Sequence, residues 1–214
     1  MTGKIPQPPL LLVTDRRQAR RPVPAVVAAA LDAGCRWVSL REKDLPADEQ
    51  LLLARSLLSA VHARGGKLML HGNVALARDS GIDGAHLPSG SDAAAARALL
   101  GPGKILGVSI HTVTEAERID PAHIDYALAG PAFETPSKPG YGPEIGRKGL
   151  ADIARACRVP VLAIGGINAA RIGEVLAGGT AGVAVMGAVM RAADPAREMR
   201  SLLTSLNGAL AMRA

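Results

Sequence analysis

The sequence predicts an α/β fold, a single (β/α)8 TIM barrel spanning residues 1–214. Eight short apolar runs recur along the chain, each followed by a helical segment. That is the pattern of parallel strands buried on both faces. The even spacing of the runs favours a closed barrel over a doubly wound open sheet. A length of 214 residues suffices for one such barrel with short loops, since the fold runs from about 200 residues upward. No composition shift or low-complexity linker marks a domain boundary.

The first strand is Leu10–Thr14, stopped by Asp15, and the helix Pro24–Ala33 after it closes at Gly34. Trp37–Arg41 is the second strand. The helix Ala47–Arg64 follows, with Leu51, Ala54, Leu58 and Val61 at helical spacing and Gly65-Gly66 past its end. Lys67–His71 is the third strand, before a short helix at Val74–Arg78. Gly84–Leu87 is the fourth, before an Ala-rich helix at Ala93–Leu100.

Ile105–Ile110 is the fifth strand, and Thr112 with Glu115 forms a capping box for a short helix. Tyr126–Gly130 is the sixth, followed by a Pro/Gly-containing loop over Ala132–Gly146 and a helix to Cys157. Val159–Ile164 is the seventh, and Asn168 caps the helix Ala169–Ala177. Gly182–Met186 is the eighth. Asp194 and Pro195 start the last helix, which is expected to run to Leu206.

Composition narrows the function. The formal charge is +6 and aromatics make up only 2% of residues. Arginines are scattered over helices, and no aromatic platform exists on which bases could stack, so nucleic acid is not expected as a partner. The surplus charge suits a solvated surface or an anionic substrate. Cys35 and Cys157 stand in no metal-ligand spacing. With no signal-peptide pattern and no apolar run of about 18 residues, the sequence reads as that of a cytoplasmic protein without membrane contact.

In such barrels the active site lies at the carboxyl ends of the strands. The polar residues there are Asp15, Arg41, Glu42, Lys43, His71, Asn73, His86, Ser89, Ser109, His111, Thr135, Ser137 and Lys138. Arg41 and Lys43 stand one residue apart where a strand ends, so alternation turns both the same way. Two like charges on one face are reconciled by an anion between them, or by Glu42 and Asp44 beside them. Gly165-Gly166 after the seventh strand and Met186-Gly187 after the eighth have the form of a phosphate cup. Backbone amides can approach an anion there.

These residues fall in motifs. Leu12-Val13-Thr14-Asp15, Leu40-Arg41-Glu42-Lys43-Asp44, Gly107-Val108-Ser109, Gly130-Pro131-Ala132-Phe133-Glu134-Thr135-Pro136-Ser137-Lys138, Ala163-Ile164-Gly165-Gly166-Ile167 and Gly182-Val183-Ala184-Val185-Met186 follow in that order. The series covers nearly the whole chain and resembles the thiamin phosphate synthase / TenI superfamily. The resemblance implies a barrel enzyme of thiamin biosynthesis. Such a synthase couples hydroxymethylpyrimidine diphosphate to thiazole phosphate, with release of pyrophosphate and with Mg²⁺. It implies that Arg41 and Lys43 bind the diphosphate, and that Ser109 and Lys138 contact the pyrophosphate and its leaving oxygen. Thr135, Ser137 and the backbones of Gly166 and Gly187 would hold the thiazole phosphate.

The chain also departs from that pattern. Gly72 stands where the synthase has a magnesium-binding Asp, and Asp92 comes one place after the second expected carboxylate. Ser39 replaces a Gln before the Leu-Arg-Glu-Lys motif. The Leu87–Ser91 segment is similar to the TenI branch, whose tautomerase uses a His where this chain has Pro131. Three readings follow: synthase, TenI-like thiazole tautomerase, and non-catalytic phosphate-ligand binder or regulator. Asp92 is the one metal candidate for a synthase; the other readings need no cofactor. His71, beside Gly72, is a candidate general acid/base, against the reading that it only hydrogen-bonds the mouth. His86 reads as structural and His111 as an aid to Ser109. Homodimer formation is compatible with the resemblance, though the sequence marks no interface.

Overall fold

A computed structural model describes residues 5–135 and 144–213. Eight parallel strands close in sequence order: β1 (Leu10–Val13), β2 (Trp37–Leu40), β3 (Lys67–His71), β4 (Gly84–Leu87), β5 (Ile105–Ile110), β6 (Tyr126–Ala129), β7 (Val161–Ile164) and β8 (Gly182–Val185). β8 returns to β1 with Leu11 opposite Ala184, which completes the ring. The connecting helices are α1 (Val23–Asp32), α2 (Ala47–His62), α3 (Val74–Asp79), α4 (Ala93–Leu100), α5 (Val113–Glu117), α6 (Gly146–Ala156) and α7 (Ala169–Ala177). After β8 come a four-residue helix α8 (Gly187–Met190) and the closing helix α9 (Pro195–Ala211).

Strand alternation explains why the runs are apolar throughout. Leu10 and Leu12 face the helices, while Leu11 and Val13 face the barrel interior. The interior is narrow. Leu11, Val13, Trp37, Met69, Ile105, Tyr126, Leu128, Leu162 and Ala184 fill it. Trp37 and Tyr126, at the amino ends of β2 and β6, meet edge to face with ring centroids 4.7 Å apart. Tyr126 can lie across the barrel because Gly107 on β5 has no side chain; a Cβ there would overlap the phenol ring.

The expected helix starts form as local chemistry dictates. The Thr112/Glu115 capping box is complete. Asn168 Oδ1 accepts from Arg171 N at 3.1 Å, and Asp194 Oδ1 from Arg197 N at 3.0 Å. Two stops differ. Met186 leaves β8 to cap α8, a helix too short to show a periodic signal. The last helix continues past Leu206 to Ala211. Asn207 and Gly208 resemble a stop, yet both face outward, and buried Ala209 keeps the apolar stripe running against the barrel. Among the described residues, no helix is long and apolar enough to cross a membrane.

Replacing Gly107 with Ala forces a methyl group onto Tyr126. Overpacking of this kind costs about 1–3 kcal/mol. Urea denaturation of Gly107→Ala is expected to show that loss; an unchanged midpoint would mean that the ring has slack around it.

Candidate active site at the carboxyl-end mouth

The carboxyl ends of the strands surround a cavity of about 520 Å³. Residues at or just beyond the carboxyl ends of all eight strands reach it. Arg41, Lys43, His71, Ser109, Thr135, Gly165, Gly166, Met186 and Gly187 line it together. Ser137 and Lys138 lie outside the described residues. Asp92 is not brought to the mouth: it is exposed, and its Oδ1 accepts from Ala95 N at 3.0 Å as the cap of α4. A short side chain just before a helix is drawn to the unpaired amides of the first turn.

On the cationic side, Arg41 lies 3.9 Å from Asp15 Oδ2. The neighbouring acids are engaged elsewhere. Glu42 turns inward, where its Oε2 accepts from Arg16 N at 2.9 Å. Burial pushes its carboxyl above the usual range, against that hydrogen bond and one from Thr14. Asp44 pairs with Arg16, and with Arg17 Nε at 3.1 Å. The loop after β1 thus draws Glu42 and Asp44 toward itself, while Arg41 and Lys43 line the cavity.

The opposite side is the glycine cup, which carries two arginines that the motifs did not single out. Gly166 (φ +64°) presses against the loop after β6, where a Cβ would lie 2.6 Å from Glu134 O and 2.8 Å from Phe133 Cβ. Arg171 Nη1 donates to Gly166 O at 2.8 Å, and its guanidinium lies 4.5 Å from the centre of the Phe133 ring. The Arg191 guanidinium occupies the space that a side chain at Gly187 would need, and it bonds Gln18 Oε1. Both arginines line the cavity. One signal for Arg191 was available: it stands four residues after Gly187, one helical turn on.

Between the two sides lies a pair of histidines. His86 is fully buried, with Nδ1 3.0 Å from the Tyr126 hydroxyl and Nε2 2.9 Å from Ser109 Oγ. The His71 ring tilts over it with centroids 4.7 Å apart. Burial, helped by the Lys43 charge, lowers the His86 pKa from 6.5 to about 3. His86 thus hydrogen-bonds a residue that lines the mouth. At the rim, Ser89 Oγ donates to Glu115 Oε1 at 2.6 Å. Burial would raise the Glu115 carboxyl, but Ser89 and the His111 amide outweigh it and hold it below its usual range.

A model of a protein family described as thiamine monophosphate synthase matches residues 10–189. The chain is 42% identical to a thiamine-phosphate synthase of Roseiflexus sp., over 95% of this chain and 87% of that one. It is 40% identical to the thiamine-phosphate synthase of Roseiflexus castenholzii, over 94% and 91%. Among solved structures, a thiamine phosphate pyrophosphorylase from Pyrococcus furiosus superposes with a TM-score of 0.84 at 30% identity, over 94% of this chain and 96% of that one.

The buried histidine makes stability depend on pH. In the unfolded chain the imidazole takes up a proton near pH 6.5, while in the folded chain it stays neutral down to about 3. Its contribution is complete above pH 6.5 and is lost as pH falls from there toward 3, by roughly 1 kcal/mol per pH unit. Urea denaturation at pH 7 and pH 5 should therefore show a larger loss for the wild type than for His86→Gln. Equal losses would mean that the ring ionises in place.

Proposed function

Because the chain belongs to the thiamine monophosphate synthase family, we propose that this mouth couples a pyrimidine diphosphate to a thiazole phosphate to give thiamine phosphate and pyrophosphate. The observation that carries the reading is one cavity lined from two parts of its rim by groups able to donate to an anion. Arg41, Lys43 and Ser109 form one, and Gly166, Gly187, Arg171 and Arg191 the other. A reaction between two phosphorylated substrates needs both at once, held with their reacting ends together.

Arg41 and Lys43 hold the diphosphate, and the Ser109 hydroxyl donates to it. As the bond to the pyrimidine breaks, negative charge gathers on the departing pyrophosphate, and these preorganised donors stabilise it. Thr135 and the glycine cup hold the thiazole phosphate, with the arginines supplying charge that backbone amides lack. Lys138 and Ser137 belong to the same assignment by their place in the motif. His71, lining the cavity at the end of β3, is the group we assign to giving a proton to the departing pyrophosphate oxygen as its bond to the pyrimidine breaks. The names of the relatives favour the synthase over the tautomerase and over a non-catalytic binder. A homodimer and a cytoplasmic location belong to the same reading.

The family is consistent in general with a magnesium-using enzyme. The residues described here do not fit that ion, which takes hard oxygen ligands in an octahedron. Gly72 offers no side chain, and Asp92 caps α4. Asp15 accepts from Gln18 Nε2 at 2.6 Å and faces Arg41. Among the described residues, no group of three or more His, Cys, Asp or Glu could hold a metal. Binding and charge stabilisation are accordingly assigned to this chain's side chains and backbone amides.

The test is to incubate the protein with hydroxymethylpyrimidine diphosphate and thiazole phosphate, with Mg²⁺ supplied or chelated, and to measure thiamine phosphate. Product is expected in both arms, with less than a tenfold drop on chelation. No product in either arm, with thiazole phosphate still bound, would leave a binding protein in place of the enzyme. Arg41→Ala is expected to lower kcat/KM at least tenfold. His71→Ala is expected to lower kcat by about 100-fold, the lower range for acid–base groups; undiminished turnover would remove His71 from the chemistry.

A further inference from the structure

Tyr126, His86 and Ser109 form one hydrogen-bonded line from the barrel interior to the mouth. It begins in the core, where the Tyr126 ring occupies the space left by Gly107. Its hydroxyl lies 3.0 Å from His86 Nδ1, and His86 Nε2 lies 2.9 Å from Ser109 Oγ. Tyr126 and His86 are fully buried, and Ser109 lines the cavity. The line crosses three adjacent strands, β6, β4 and β5.

The direction of the protons follows from counting them. A phenol carries one proton, and among the described residues the Tyr126 hydroxyl has His86 Nδ1 as its hydrogen-bond partner. A buried donor left without an acceptor loses its hydration with nothing in return. The phenol therefore donates and Nδ1 accepts. A neutral imidazole carries one N–H, so the proton sits on Nε2 and is donated to Ser109 Oγ. The serine's own proton is then left to point away from His86, into the cavity. The reverse line, with Ser109 donating to Nε2 and Nδ1–H donating to the phenol, strands the phenol proton in the apolar core. It would also offer the mouth only serine lone pairs, which repel an anion.

We infer that Tyr126 and His86 are positioning residues that fix Ser109 as a one-way hydrogen-bond donor to an oxygen of a bound diphosphate. The inference rests on the anion-binding reading of the mouth. It requires a neutral His86, because a doubly protonated ring would turn Nδ1 into a second donor facing the phenol. Burial keeps the ring neutral, and the nearby Lys43 charge adds to the effect. The same Lys43 lines the cavity into which Ser109 donates, so one cation serves the line and its ligand together.

The first measurement is the tautomer of His86 in the full chain at neutral pH, read by ¹H–¹⁵N correlation on protein labelled at histidine. The expected pattern is a protonated Nε2 with a bare Nδ1. An Nδ1–H tautomer, or a mixture, overturns the inference. The second is calorimetric binding of inorganic pyrophosphate to the wild type, Tyr126→Phe, Ser109→Ala and the double variant. Tyr126→Phe leaves the ring free to reverse, and is expected to weaken binding about tenfold, an effect that vanishes in the Ser109→Ala background. Losses that add in the double variant would show that Tyr126 acts through general packing, and would overturn the inference. A wild type that binds no pyrophosphate removes the anion-binding reading and the ligand assigned to Ser109. A reversed tautomer with intact pyrophosphate binding removes the inference alone.

Discussion

A ring of eight parallel strands encloses space for only a few large side chains, and everything at the mouth depends on how that space is filled. Here Trp37 and Tyr126 occupy the amino-terminal layer and meet edge to face. Most of the other inward side chains are aliphatic. Because the lower interior is packed, the polar groups of the next layer are supported from beneath. His86 rests against Tyr126, Ser109 is tied to His86, and His71 covers the His86 ring. The same packing strips water from His86 and keeps it uncharged among cations.

Charge at the mouth is organised by direction more than by amount. Glu42 and Asp44 flank the two cations in sequence and could have neutralised them. The loop after β1 engages them instead, through the Arg16 amide and the Arg16 and Arg17 guanidinium groups. On the far side, Arg171 and Arg191 are held by Gly166 O and Gln18, so their positions are set before any ligand arrives. Positive groups thus converge on the cavity from two sides, as preorganised electrostatics requires.

Much of this was legible from local signals. Strands buried on both faces leave unbroken apolar runs, and all eight were readable for that reason. Helix starts at Thr112, Asn168 and Asp194 depend on a side chain reaching three residues ahead, which is short-range chemistry. That several of the named residues would line one cavity followed from one rule, that polar groups at the strand ends share the mouth of a barrel, together with the motif order. What escaped were contacts between distant parts of the chain. His86 and Tyr126 are separated by 40 residues, and no pattern in either segment announces the other. Arg191 stands beside the cup only because α8 forms, and α8 is too short to be periodic. Asp92 carried two meanings, carboxylate ligand and helix cap, and only the placement of α4 decides between them.

The absence of a side chain at Gly107 has a practical consequence for redesign. Mouth loops of a barrel can be exchanged freely, and libraries aimed at new substrates would naturally vary Arg41, Thr135 or Arg171. Residue 107 does not line the cavity, so such a library would leave it alone. Yet any side chain there displaces Tyr126, whose hydroxyl is bonded to His86, itself bonded to Ser109. In this barrel the lower core and the mouth are joined by hydrogen bonds, and a graft of the mouth onto another scaffold would have to carry its foundation with it.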